Sequence, residues 1–257
     1  MRNPNFEKPQ NGNPHGLAIK QHILPVKSIL RFVDTSGKVC VYLKPQKKQF
    51  CADPENEIFC AKRVWNQRAE TGWMKDIEDQ FQELADAILT GRILDIDVKE
   101  AEKISSFFVL WYLRATYRVN PPADAKLNCI KGDPSLTKDQ QEFLEKNHVG
   151  YIRVDATMPG RDIADGQMQV RYFAMMKQIK TVQWGILKVL EGELIVPDVF
   201  LKDSKTVYII PLTPTCCLIS PKNNAEIKLE AVRNINKLAV EYSQEYYFAR
   251  DLSKCPL

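Results

Sequence analysis

The chain has 257 residues, 36 Lys+Arg against 32 Asp+Glu, and 44% apolar with 26% charged residues, an ordinary globular composition that excludes overall disorder. Its longest uninterrupted apolar run, Phe107 to Leu113, is seven residues, far below the ~18 needed to span a bilayer. The first twenty residues, rich in Asn, Pro and Lys, lack the apolar stretch of a secretory signal, so a cytoplasmic protein without a membrane segment is expected, and a net charge of +4 neither requires nor excludes a nucleic-acid partner.

Residues 1–18 bring few apolar side chains, too few to offset chain entropy, so a loose N-terminal arm is expected ahead of one domain over 19–257. From Ile19 the pattern changes. His22, Pro25 and Pro45 bracket the segments ILRF and KVCVYL; the second, entered from Asp34-Thr-Ser-Gly37, predicts a strand and marks a small N-terminal β unit.

A helical middle is expected over about 73–181. Ile77, Phe81, Leu84 and Ile88 recur at helical spacing with Glu78, Asp79 and Glu83 off the stripe, and Gly91 suits the C-terminal cap. A second helix over about 99–118 carries the uncharged run SSFFVLWYL and is expected to be central; Asn120-Pro121-Pro122 ends it. Thr137 is placed to cap a helix with Phe143 and Leu144 on its inner side. Met168, Tyr172, Met175, Met176 and Ile179 form one face of a further helix over about 165–181, a packing stripe.

Over about 182–250 the segments WGILKVL, ELIVPDVF, TVYIIPL and TCCLIS are short and β-branched, separated by turn residues, and predict three or four mainly antiparallel strands. A terminal helix between Glu230 and Tyr242 lays Val232, Ile235, Leu238, Ala239 and Tyr242 on that sheet. The fold class is therefore α+β. Seven cysteines at 40, 51, 60, 129, 216, 217 and 255, with no C-x-x-C pair, are expected to be free thiols, and the neighbours Cys216 and Cys217 would face opposite ways on a strand.

Six blocks taken together carry a resemblance: KQHILPVKSILRF at 20–32, IEDQFQELADAI at 77–88, FFVLWYLRATYR at 107–118, ELIVPDVF at 193–200, YIIPLTP at 208–214 and NINKLAVEYSQEYYFAR at 234–250. In this order they resemble the bacterial family catalogued as domain of unknown function 4238, and they span nearly the whole chain after residue 19. The fourth block departs from that family's Ser-Asp-x-Pro, because here Pro197 precedes Asp198. The resemblance implies one domain, no assigned reaction, and a setting among bacterial accessory and mobile genes.

The candidate site residues follow from these blocks. His22, after Gln21, has the residue type for an acid, base or ligand near neutral pH, or for a hydrogen bond across a strand start. Asp198 would orient an imidazole, bind a metal, or accept backbone N–H bonds in a turn. Arg114, with Arg118 one turn on, suits a phosphate or carboxylate, or an ion pair with Glu78 or Glu83. Asn236 would hold a loop or a ligand, with Asn234 as the alternative helix cap. Lys44, Lys47 and Lys48 would touch a phosphate backbone or form a solvated edge.

No phosphate-cradling glycine loop, H-E-x-x-H or G-x-S-x-G is present, which argues against the common nucleotide, metalloprotease and serine-hydrolase sites. Two functions fit. One is a nucleic-acid hydrolase linked to defence or mobile elements, with His22 as acid or base, Asp198 as orienter or ligand of a divalent metal, and Arg114 on phosphate. The alternative is a non-enzymatic binding or sensor module that contacts a protein or nucleic-acid partner.

Overall fold

The computed structural model describes residues 6–128, 130–132, 135–200 and 207–257. The chain opens with β1 (Lys20–His22), a one-turn helix α1 (Val26–Leu30), the hairpin β2 (Val39–Leu43) and β3 (Lys48–Ala52), and β4 (Cys60–Lys62). The helical middle comprises α2 (Gln67–Thr71), α3 (Trp73–Leu89), α4 (Val98–Val119), the short β5 (Ala125–Lys126), α5 (Lys138–Lys146), β6 (Thr157–Met158) and α6 (Gly160–Ile179). The last part holds β7 (Gly185–Val189), β8 (Val196–Pro197), β9 (Tyr208–Thr213), β10 (Cys216–Ser220), β11 (Ala225–Ile227), α7 (Leu229–Tyr242) and β12 (Tyr246–Ala249). The architecture is α+β, as the periodicities predict.

Helix α4 is the axis of the molecule. An Asp97–Glu100 capping box starts it, with the Asp97 carboxylate accepting from the Glu100 amide and Glu100 reaching back to the Asp97 amide. Its long uncharged run is buried almost all round, which a helix enclosed by neighbours requires. Phe107 stacks on Phe81 of α3 at 3.6 Å between ring centres. The Trp184 indole ahead of β7 donates to Ser105 at 2.9 Å, and the Trp111 indole donates to the Asp198 carbonyl at 3.0 Å, so α4 is tied to segments on both sides by its few polar contacts as well as by packing.

Two four-stranded sheets flank this axis. One is β11-β7-β10-β9, antiparallel except for the parallel β11–β7 edge. The other, β3-β2-β12-β8, is antiparallel throughout and joins the two ends of the chain, with Val41 opposite Phe248 and Val196 opposite Phe248 on the far side. The N-terminal β unit is thus completed by the last strand, which no sequence pattern announced. Phe248 meets Phe32 and Phe59 edge-on beneath it.

Three expectations are corrected. The inner side of α5 carries Glu142 and Glu145, while Phe143 is exposed, because guanidinium and amide partners await the carboxylates there. Helix α6 begins at Gly160 rather than near 165. Residues 6–18 of the expected loose arm are held: the Leu17 side chain is buried, Gln10 bonds Glu142 and Asp139, His15 bonds Asp139, and Glu7 enters an ion-pair cluster. Polar contacts, rather than apolar burial, fix that segment. The six cysteines among the described residues are free, and Cys129 lies outside them.

Candidate functional site

Strand β1 pairs with β4, setting Lys20 opposite Lys62, Gln21 opposite Ala61 and His22 opposite Cys60. Alternation sends Gln21 inward and puts Lys20 and His22 on the other face together with their partners. Gln21 is buried and fully engaged: its amide nitrogen donates to the Trp65 carbonyl at 2.7 Å and its oxygen accepts from the Val64 and Trp65 amides. It fixes the turn that follows β4 rather than binding a ligand.

His22 is different. Its Nε2 is buried without a partner, and the Pro54 backbone lies near enough to favour the charged ring. In the tautomer with its proton on Nδ1, Nε2 presents a lone pair. Burial lowers the imidazole pKa from its ordinary value, against the Pro54 backbone and the charge of Glu78, which favour protonation. Neutral imidazole is the resting form near pH 7.

Arg114, only 2% exposed, stands directly behind His22 and donates to its main-chain carbonyl at 3.2 Å. The same nitrogen pairs with Glu78 Oε1 from α3, the first of the two ion-pair partners the sequence offers it, and the guanidinium stacks over Trp65 at 5.4 Å. Glu70 of α2 lies 3.9 Å from Arg114 and accepts from the Trp65 indole at 2.5 Å. Burial raises the Glu70 pKa, with Arg114 and the indole opposing it and Glu78 adding to it. A lowered imidazole and a raised carboxyl therefore stand around one buried guanidinium, the kind of divergence that separates a base from an acid. Glu70 and Lys20 were not singled out by the sequence, and Glu78 only as one of two ion-pair partners for Arg114. The off-stripe position of Glu78 and the strand alternation of Lys20 were the signals available.

The other candidates are drawn into the fold. Asp198, expected to orient the imidazole, sits further along α4 and accepts backbone N–H bonds from Gln244 at 2.8 Å and Glu245 at 2.7 Å, with Tyr246 at 3.4 Å. Burial raises its pKa against those amide bonds. The carboxylate whose charge acts most on His22 is Glu78, ahead of Glu55. Arg118 pairs with Glu245 at 2.8 Å and lies over the Tyr246 ring. Asn236, fully buried, accepts from the Ile195 amide and donates to the Glu193 and Pro256 carbonyls, so it holds a loop; α7 begins earlier, after Lys228, and Asn234 is no cap.

Lys44 donates to the Val240 and Ser243 carbonyls at 2.8 and 2.5 Å, closing the end of α7. Lys47 and Lys48 are exposed at the turn between β2 and β3. Pro54, whose backbone acts on His22, follows the opposite end of β3 from Lys48, and five residues at about 3.3 Å each separate the two ends by roughly 17 Å. Those lysines and His22 are not one surface. Among the described residues no three His, Cys, Asp or Glu side chains are grouped to hold a metal ion, and no helix is long and apolar enough to cross a membrane. Compared with protein-family models, with curated proteins and with solved structures, the chain matches none.

Proposed function

We propose that the chain is a nucleic-acid hydrolase whose acid–base centre is His22 with Glu70, positioned by Arg114 and Glu78. The observation that carries this reading is His22 Nε2, buried without a partner, on a residue whose main chain is held by the same Arg114 that lies 3.9 Å from the Glu70 carboxylate. In this scheme Nε2 takes the proton of an attacking water or hydroxyl as its oxygen bonds to phosphorus, and the Glu70 carboxyl gives a proton to the leaving oxygen as the P–O bond breaks. Exposed Lys20, on the same strand face as His22, supplies the positive charge for the phosphate. Arg114, enclosed and ion-paired, is a positioning residue. A cytoplasmic role in bacterial defence or mobile-element biology is what the resemblance to domain of unknown function 4238 adds.

The test is cleavage of labelled single- and double-stranded DNA and RNA by the purified protein with Mg²⁺, Mn²⁺ or chelator. Cleavage that survives chelator and falls about 100-fold or more in folded His22→Gln, with Asp198→Asn retaining its rate per folded molecule, is expected. Substrates left intact by wild type in every condition would sink the hydrolase. The second reading, a binding module without turnover, draws on one observation: Gln21, Lys44, Asp198 and Asn236 all serve the fold, leaving Lys47 and Lys48 exposed at a hairpin turn. It predicts nucleic-acid binding that weakens steeply with salt while the polymer stays whole.

A further inference from the structure

A second concentration of buried charge lies away from His22. Arg63 after β4, Lys138 at the start of α5, Arg153 ahead of β6 and Arg161 in the first turn of α6 converge on one residue of the N-terminal arm, Glu7. Lys138 pairs with Glu7 Oε1, while Arg161 and, at 2.6 Å, Arg153 pair with Oε2. Arg63 donates to the Glu7 main-chain carbonyl at 2.8 Å. Burial pushes the Glu7 carboxyl up, but Arg161 and Lys138 outweigh it and hold the group well below the usual carboxylate range.

The cations belong to the body of the protein, and so do three of the four carboxylates among them. Glu145 bridges Arg63 at 2.5 Å and Arg161 at 2.8 Å, Asp124 pairs with Arg153 at 2.6 Å, and Glu142 stands 3.6 Å from Lys138. Glu7 alone comes from the arm, and its removal leaves one positive charge uncompensated among partly or wholly buried groups. Arg63 and Arg161 are each 5% exposed, and Arg63 Nε is buried with no partner. An open cleft of about 520 Å³ adjoins, lined by Phe6, Glu7, Arg63, Pro122, Gly160 and Arg161. At Gly160 any side chain would run into the Pro122 carbonyl, so the glycine lets the helix start and this wall close up.

We propose that this socket is a binding site for a phosphoryl group, which it takes in exchange for the Glu7 carboxylate of its own arm. Three cations crowd the two oxygens of Glu7, whereas a phosphoryl group offers three oxygens and more charge to the same donors. The cleft beside it leaves room for whatever the phosphoryl group is attached to. The site is independent of the hydrolase reading, since none of its residues belongs to the His22 group.

Calorimetric titration with inorganic phosphate and with a nucleoside 5′-monophosphate, at constant ionic strength, tests it. Glu7→Gln is expected to bind at least one of them 10-fold or more tighter than wild type, and Glu7→Gln with Arg153→Gln to lose that gain; the better of the two ligands identifies whether the cleft takes part. Equal affinity in wild type and Glu7→Gln, or binding that survives the Arg153 change, would overturn the site. Hydrogen exchange of intact wild type needs no variant: saturating ligand should speed exchange in residues 6–18 and leave α4 protected. Unchanged exchange in those residues at saturation would overturn the exchange of occupants.

Discussion

His22 couples its own protonation to the stability of the fold, and the sign is fixed by its surroundings. Burial lowers the folded-state pKa below the ordinary imidazole value of about 6.5. Above that value both states are neutral at this position and the contribution is complete. As pH falls below it, the unfolded chain takes up a proton that the folded chain resists, and stability is lost as pH drops toward and through the folded pKa. Glu70 and Asp198, whose pKa values burial raises, push the other way, but they do so equally in wild type and in His22→Gln. The melting temperature of wild type should therefore fall relative to His22→Gln between pH 7 and 5. Parallel profiles would mean that the imidazole titrates alike in both states.

Lys44 shows how an element recruits a residue that the chain offers for something else. Its ammonium answers two carbonyls at the end of α7, a position where a cation also meets the negative end of the helix dipole. Lys44→Ala should lose about 1 kcal/mol in urea unfolding, with no change in affinity for nucleic acid; lost affinity at undiminished stability would return the residue to the binding surface. The elements themselves were legible wherever their signals are local. The Pro121-Pro122 stop, the Thr137 cap and the apolar stripe of α3 each place a boundary within a residue or two. The inner face of α5 was not legible, since Glu145 is buried only because Arg63 and Arg161 meet it from distant positions. The same holds for the site. An ion pair of Arg114 with Glu78 or Glu83 was one of the alternatives the sequence offered, whereas Asp198 turned toward amides of the α7–β12 turn, whose approach depends on a strand with no alternation to mark it.

At the scale of the molecule, β12 lies between β2 and β8, so the sheet has no continuity without it. A chain ended after Ser243 would lose Tyr246 and Phe248 from under the hairpin and the amides that Asp198 binds. It should lack a cooperative thermal transition and near-ultraviolet dichroism; a truncated protein melting within a few degrees of the full chain would show that the sheet holds without its joining strand. The position of β12 has a consequence in time as well. On the ribosome, β2 and β3 emerge as a ribbon whose inner edge has no neighbour, and the strand that fills it is made only after the whole helical middle and the other sheet. Until then the growing polypeptide presents unpaired backbone groups and the rings of Phe32 and Phe59 to its surroundings. The interval between synthesis of the hairpin and synthesis of β12 is when chaperones have the most to shield, and slowing translation between the two should raise the fraction that aggregates.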